Sequence, residues 1–399
     1  MQSYDAVIVG AGPAGGQCAR QLALSGKKVL VLEKSKDFTI NNYSSGGAPL
    51  SIMEAYALPQ HIVSTYWDKL ALRTTREMHH WTSGKPVGVI LDFKQLRHFL
   101  TEEASKHAGE IRLGCTFINH TQGNGYTLVH LQQQGKRAHE IVQTRVLVDA
   151  TGSERDVLSQ KAYDKSKALA STGIEYHVEV DDFIYQRYAE TLSFFLGHRW
   201  MPQGYAWIFP VKKNILKVGI IRYFLHEQIV PHDLSMRNYL DHLMLQCFGS
   251  LNLPIHDKHG KTLYYTYKQK DLHYNNNIIA IGDAVSTLNP LAAEGIRHAM
   301  ESGNIAAKHI IAYLENREYF DRYPSDLQQY YGLKWRLSEI LMNRIYREKN
   351  DRKLDLMLRA FKFFSFNEII DLGFNYKWHK ALKFYMAYKG LNLWHLFRC

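Results

Sequence analysis

Residues 4–34, YDAVIVGAGPAGGQCARQLALSGKKVLVLEK, decide the fold. Tyr4 to Val9 is a short apolar run rich in β-branched residues, which reads as a buried strand. Gly10-Ala-Gly12-Pro-Ala-Gly15 follows, and then Ala14, Cys18, Ala19, Leu22 and Ala23 recur at helical spacing. Gly26 stops that helix, Lys28 to Leu32 returns to a strand pattern, and Glu33 closes the unit 18 residues after Gly15. Each glycine has a task in such a unit. Gly10 permits a tight turn, Gly12 admits a pyrophosphate to the backbone, and Gly15 lets the helix pack close to the sheet, while the helix N-terminus offers its N–H groups to the anion. Glu33 is placed to accept hydrogen bonds from a ribose diol. A glycine-rich turn in an ordinary α/β protein would not need that acid. The stretch therefore predicts a dinucleotide site, with NAD and FAD equally open at this point.

Ser44-Ser-Gly-Gly-Ala-Pro-Leu50 is a glycine turn before a predicted helix over 51–58. Paired glycines there mark a simple loop or a place where a planar ligand lies on bare backbone. Residues 61–90 are mixed and carry no assigned chemistry. A helix is predicted from Asp92 to His107, and its Arg97 either reaches a phosphate or ribityl group or forms a surface salt bridge. From 111 to 148 alternating runs read as a hairpin returning to the sheet. They end in Asp149-Ala-Thr-Gly152, small residues at the strand edge where open α/β sheets bind ligands. Residues 172–225 are β-rich and are expected to form the antiparallel sheet of a second domain. Within them Tyr205, Trp207 and Phe209 share one strand face. Such a stripe is more often plain core, but facing a cofactor it makes an apolar wall for a hydrophobic substrate. Residues 232–270 read as polar and helical or irregular. Asp283 stands at a strand end, suited either to sugar-alcohol hydroxyls or to capping its own turn. Past Glu294 and Gly295 a helix over 297–314 would present its positive end to negative charge on a ring system.

Composition narrows the classes. At 399 residues, 46% hydrophobic and 22% charged, the chain suits two or three globular domains. No apolar run is long enough to cross a bilayer, and the immediate start of the first strand leads us to expect no signal peptide. Cys18, Cys115, Cys247 and Cys399 lack metal spacing and read as reduced cytosolic thiols; Cys399 is not fourth from the end, so no prenylation box is expected. The formal charge is +11, and residues 331–399 carry +8 of it, with 14 Lys/Arg against 6 Asp/Glu. Those charges alternate with Trp335, Phe361, Phe363, Phe364, Phe366, Phe374, Trp378, Phe384, Tyr385 and Trp394. A solvated basic face is the plain reading; basic and aromatic residues together on helices also fit docking to an anionic membrane surface. No nucleic-acid module is recognisable, so nucleic acid is not expected as a partner.

Taken together, these segments resemble the FAD-dependent aromatic hydroxylase (PHBH-like) superfamily and, within it, the geranylgeranyl reductases. The opening GAGPAG and LEK are similar to the FAD-binding start, Ser45-Gly46-Gly47-Ala48 to a CGGA-type segment, Tyr205 to Pro210 to the YxWxFP motif, and Gly282-Asp283-Ala284 with Asn289 to Ile296 to the GDA…NPLTGEGI motif. The resemblance implies that FAD contacts Gly10, Gly12, Ala14, Gly15, Glu33 and Lys34 through its ADP half. It implies further that Arg97, Gly152 and Asp283 take the diphosphate and ribityl parts, and that Gly46, Gly47, Pro290, Gly295 and Ile296 lie beside the isoalloxazine. Tyr205, Trp207 and Phe209 would line a tunnel for an isoprenoid chain. The implied reaction is reduction of FAD by NAD(P)H or another donor, then hydride transfer from N5 to an isolated trisubstituted alkene with protonation of the other carbon. No catalytic side chain is identified. Three departures stand out: Ser45 replaces the plant-type cysteine, Thr151-Gly152 replaces the usual DG, and Ala292-Ala293 replaces Thr-Gly.

The expected fold is α/β. A discontinuous Rossmann-type FAD-binding domain (1–165 and 271–315) is joined to a β-rich antiparallel-sheet substrate domain (166–270) and a helical, basic and aromatic C-terminal region (316–399). The expected function is FAD-dependent reduction of C=C bonds in a hydrophobic prenyl lipid. The expected location is cytoplasmic with a peripheral membrane contact. A flavin monooxygenase or halogenase, a redox-neutral carotenoid cyclase and a flavin-bound lipid carrier are the alternatives.

Overall fold

Ser3–Val9 and Val29–Glu33 are parallel neighbours buried on both faces, which explains why each reads as an unbroken apolar run. A computed structural model describes residues 1–40, 42–158, 163–225, 234–316 and 319–396. In it these strands lie in an eight-stranded sheet. The order runs Tyr274–Asn275, Ile278–Ala280, Glu140–Asp149, Ser3–Val9, Val29–Glu33, Gly109–Leu113, with the hairpin Cys115–Gln122 and Thr127–Gln133 pairing off the main path. Helices Pro13–Leu24, Phe93–Ser105 and Ile296–Asn316 belong to the same compact unit, which comprises Met1–Asn42, Phe93–Ala168 and Tyr264–Arg336.

The packing of Pro13–Leu24 on Ile296–Asn316 depends on missing side chains. A Cβ at Gly303 would sit 2.6 Å from the Ala14 carbonyl oxygen, and one at Gly282 would sit 2.8 Å from the Ala14 Cβ. Small residues at these crossings let two backbones approach where a larger residue would hold them apart.

The second unit comprises Tyr43–Asp92, Leu169–Leu263 and Leu337–Cys399. Its seven-stranded sheet runs Ile255–Tyr265, Leu169–Glu179, Ile215–Tyr223, Gly204–Lys212, Thr191–Leu196, Lys69–Arg73, Met78–Thr82. A small sheet of Gly47–Pro49, Gly88–Leu91 and Val63–Trp67 accompanies it. One face of the large sheet is dry core: Ala206, Ile208, Leu216, Val218 and Ile220 pack under the helix Met236–Phe248.

This division differs from the sequence-based one in three places. Residues 43–92 lie in the second unit, because Lys69–Arg73 pairs in parallel with Thr191–Leu196 and Met78–Thr82 extends that edge. The segment expected to be helical or irregular contains an 11-residue strand, Ile255–Tyr265, whose polar alternation suits a sheet edge. The C-terminal region does not stand apart: residues 316–336 belong to the first unit and Leu337–Cys399 to the second. Buried Asp355 accepts hydrogen bonds from the Thr74 hydroxyl (2.6 Å) and the Arg76 N–H (3.1 Å), and the Trp81 indole donates to the Phe364 carbonyl (3.0 Å). Cys18, Cys115 and Cys247 are buried free thiols; Cys399 and the side chain of Trp394 lie outside the described residues.

Gly303→Ala separates helix propensity from packing. Alanine is the better helix former by about 1 kcal/mol, yet its Cβ would press on backbone, and overpacking costs about 1–3 kcal/mol. Chemical denaturation is expected to find the variant less stable; a gain in stability would refute the close approach.

Candidate active site

In the first unit the glycines form a cradle. Gly10 has φ +110°, and a Cβ there would lie 2.3 Å from the Ala150 carbonyl oxygen; one at Gly15 would lie 2.0 Å from the Gly10 carbonyl oxygen. At Gly12, by contrast, a Cβ meets nothing within 4 Å. No side chain caps the helix that begins at Pro13, and its first turn holds no acid. Open space in front of uncapped N–H groups fits the diphosphate of FAD. Ala14 is buried at the helix crossing, so it shapes the cradle from behind.

Glu33 is buried and accepts from the backbone N–H groups of Ala11 (3.1 Å) and Ser35 (2.9 Å). Arg97 is drawn to the same place: its guanidinium donates to Glu33 (3.3 Å), to the Ala11 carbonyl (3.2 Å) and to the Ile40 carbonyl (3.2 Å). The arginine thus meets the acid of the ribose end. A carboxylate has about four lone-pair sites, so Glu33 retains about one for a ribose hydroxyl beside these three donors. Lys34 is exposed.

Gly152 (φ +70°) turns the chain beyond Asp149, whose carboxylate binds the Thr151 N–H and hydroxyl on one oxygen and the Val157 and Leu158 N–H groups on the other. Asp283 follows Gly282, whose N–H donates to Ser302 (2.8 Å); its carboxylate accepts from Thr287 (3.3 Å).

Pro290, Gly295 and Ile296 belong to a loop tied to itself. Asn289 Oδ1 accepts from the N–H groups of Leu291 and Ala292, and the Asn289 N–H donates to the Glu294 carbonyl. Ala293 has φ +52°, a left-handed conformation that glycine adopts without strain, which explains the glycine of the related motif. Burial alone would raise the Glu294 carboxyl, but His298 and Arg297 hold it well below the ordinary range. Arg297 donates to both of its oxygens, at 2.8 and 2.9 Å.

In the second unit Tyr205, Trp207 and Phe209 are all buried on the sheet face opposite the core under Met236–Phe248. Gly47 backs onto the wall, a Cβ there reaching 3.5 Å from the Phe209 ring. Gly46 has φ +76°, and its missing side chain leaves room for the Leu91 carbonyl.

The sequence reading missed a buried charge cluster on the same face. Lys217 lies directly across from Phe209, and Gly219 lies across from both Trp207 and Glu175. The bare Gly219 lets the indole of Trp207 pass over the strand and donate to Glu175 (2.7 Å). Lys217, only 5% exposed, donates to the Ser44 (2.6 Å) and Ser45 (3.3 Å) carbonyls. It pins the turn that leads into Gly46-Gly47. Burial pushes the lysine pKa down, while Glu175, Asp92 and Asp257 oppose that shift. Burial would likewise raise Glu175, but Lys217, with His177 and His259, holds it well below the ordinary range. The available signal was the period-two row Lys217, Gly219, Ile221, Tyr223 in an otherwise apolar strand.

Comparisons with known proteins agree with both halves. Residues 5–160 match the FAD dependent oxidoreductase family, and residues 172–252, which include the aromatic strand and Lys217, match the geranylgeranyl reductase catalytic domain. A digeranylgeranylglycerophospholipid reductase from Haloferax volcanii is 29% identical over 369 residues, covering 88% of this chain and 87% of that protein. Another from Methanocaldococcus jannaschii is 23% identical over 375 residues, covering 90% of each. Among solved structures, a geranylgeranyl bacteriochlorophyll reductase-like protein from Thermoplasma acidophilum has a TM-score of 0.80 at 20% identity, covering 92% of this chain and 93% of that one. A p-nitrophenol 4-monooxygenase from Pseudomonas putida reaches 0.67 at 14% identity, covering 89% and 92%, a likeness of fold alone.

Gly12→Ala is expected to leave the stability of the cofactor-free protein within about 0.5 kcal/mol of the parent and to weaken FAD binding roughly tenfold or more, about 1.4 kcal/mol. Flavin fluorescence titration checks this, and unchanged affinity would contradict the cradle. Glu175→Gln removes the carboxylate that faces His259 (3.2 Å) and opposes the buried Lys217 charge, and is expected to cost about 3–5 kcal/mol in urea unfolding at pH 7. Because the folded carboxyl lies below its ordinary value of 4.5, its contribution is complete above that pH and fades as the pH falls further. The parent should therefore lose more stability on acidification below about pH 4.5 than the glutamine variant does.

Proposed function

We propose that this geranylgeranyl reductase-like, FAD-dependent oxidoreductase saturates C=C bonds in the isoprenoid chain of a prenyl lipid. The observation that carries the reading is the buried wall of Tyr205, Trp207 and Phe209 inside the stretch matched to the geranylgeranyl reductase catalytic domain. Bound FAD supplies the hydride, after reduction by NAD(P)H or another donor. The chain's own residues bind, orient and exclude water. Gly10, Gly12, Gly15 and Glu33 hold the ADP half, with Arg97 fixing Glu33. Gly152 and Asp283 serve the diphosphate and ribityl parts, and Pro290, Gly295 and Ile296 flank the ring system. The aromatic wall takes the hydrocarbon chain, since an alkene offers no polar handle and is recognised through apolar area and shape. Lys217 holds the Ser44–Ser45 backbone and so fixes Gly46-Gly47 for the reaction.

Anaerobic mixing tests this directly. The reduced holoenzyme is expected to be reoxidised by a digeranylgeranyl glycerophospholipid, with product mass rising by two hydrogens per double bond. Reoxidation only on admitting oxygen would sink the reading, and added oxygen in the product would favour a monooxygenase.

The lipid reaches the enzyme from a membrane surface, through a smaller patch than the tail composition suggested. Trp335, Phe364 and Phe366 are buried, Phe374 packs on Trp67, and Phe384 packs on Phe361. Lys377 and Lys380 pair with Asp371, and Lys383 pairs with Glu368. Among the described side chains of the helix Ala381–Leu396, the large apolar ones open to solvent are Leu382 (64% exposed), Tyr385 (50%) and Met386 (60%), at i, i+3 and i+4, with Lys389 beside Tyr385. Among the described residues no helix is long and apolar enough to cross a membrane. Leu382→Glu with Met386→Glu is expected to lower sedimentation with anionic liposomes several-fold without loss of folding; unchanged sedimentation would refute the patch.

A further inference from the structure

Trp335 reads in the sequence as one of the aromatic residues of a basic tail, yet it is 1% exposed and belongs to the first unit. It lies on the helix Tyr323–Tyr346, where Tyr323, Leu327, Tyr331 and Trp335 recur every four residues and are all buried. Three of the four donate to backbone carbonyls of residues 280–298, the stretch that contains the GDA and NPLAAEGI segments. The Tyr323 hydroxyl donates to Ala280 (2.7 Å), the Tyr331 hydroxyl to His298 (2.6 Å) and the Trp335 indole to Leu288 (3.1 Å).

Within that stretch the loop from Asn289 to Glu294 sets its own shape through the bonds that Asn289 makes to Leu291, Ala292 and Glu294. Internal bonds do not fix where a loop stands on the protein; contacts from outside it do. Trp335 supplies such contacts at both ends. Its N–H holds the Leu288 carbonyl immediately before the loop. Its ring meets the His298 ring edge-on at 4.5 Å and 86°, and His298 Nε2 lies 3.3 Å from the Glu294 carboxylate at the far end. Glu294 is held well below the ordinary carboxylate range, so it is ionised and can only accept, which makes Nε2 the donor. Tyr331 packs edge-on against the indole at 4.9 Å while its hydroxyl holds the His298 backbone. A residue buried for bulk alone would need only to fill space; this one ties the residue before the loop to the residue that holds its last carboxylate.

We infer that Trp335 is a positioning residue for the flavin: it fixes the 289–294 loop, and with it Pro290, Gly295 and Ile296, where they meet the ring system. The inference rests on the proposed placement of those three residues beside the ring. Trp335 acts through Leu288 and His298 rather than on the ring itself. The ring end of FAD therefore gains affinity from it, whereas the ADP half, held at Gly12 and Glu33, does not.

Two variants test this. Trp335→Phe removes the N–H and keeps an aromatic ring; Trp335→benzothienylalanine keeps the bicyclic shape and exchanges the N–H for sulfur, and so tests the hydrogen bond even where the smaller ring fails to fold. Both are expected to bind FAD roughly tenfold or more weakly and to shift the absorption bands of the bound flavin, while ADP, titrated in competition with FAD, binds as it does to the parent. Equal weakening of FAD and ADP would overturn the inference in favour of a packing role, and parent-like FAD affinity and spectrum in both variants would overturn it outright. Ile296→Ala checks the placement on its own. A parent-like flavin in that variant would sink the position of the loop beside the ring, and this inference with it; an altered flavin there, beside a parent-like one in the two Trp335 variants, would overturn the inference alone.

Discussion

The first unit depends on backbone coming closer to backbone than side chains allow. Around the start of Pro13–Leu24, Gly10 nests against Ala150, Gly15 against Gly10, Gly282 against Ala14 and Gly303 against the Ala14 carbonyl. Four separate stretches of chain thereby converge on one helix N-terminus. The convergence shapes the candidate ligand site as well as the packing, since Gly12, at the mouth of the helix, faces open space where Gly10 and Gly15 press on backbone. Uncapped N–H groups facing that open space are suited to an anion.

The second unit answers a different problem, how to keep charge beneath an apolar wall. Lys217 and Glu175 share a sheet face with Trp207 and Phe209: the lysine donates to the carbonyls of Ser44 and Ser45, and one oxygen of the glutamate accepts from the indole of Trp207 while the other lies 3.2 Å from the His259 ring. Buried ion pairs contribute little net stability against apolar substitutes. Their value lies in geometry, because an ammonium donating to two successive carbonyls holds a glycine turn in one conformation. The Trp207 contact also ties the most specific sequence motif to that cluster, so wall and turn are fixed by one network.

The strand, turn and helix of residues 4–34 were legible because period and glycine placement are local properties. So was the aromatic stripe, for alternation along one strand is visible in one dimension. The Glu33–Arg97 pair was not legible, because residues 64 apart meet only through the fold. Lys217 and Glu175 were hidden for the same reason: a lysine in an apolar strand reads as an outward-facing residue until cross-strand register puts Phe209 opposite it. The edge strand Ile255–Tyr265 was hidden by its own composition, since a half-solvated edge needs no apolar face. The tail shows the converse error. Its aromatics and lysines looked like one surface, yet Trp335, Phe364 and Phe366 are buried, Phe374 packs on Trp67, and Lys377, Lys380 and Lys383 pair with Asp371 and Glu368.

The two ends of the aromatic face differ in how they are held. At the Lys217 end the ammonium is held by two carbonyls and the Glu175 carboxylate is held low by the lysine and two histidines. At the Tyr223 end the ring is stacked and its buried hydroxyl is left without a partner among the described residues. Stability alone would favour phenylalanine there, since a ring of the same shape keeps the stack and removes the unpaired group. The two residues lie on the same strand six residues apart, one held by its charge and the other by its stacked ring.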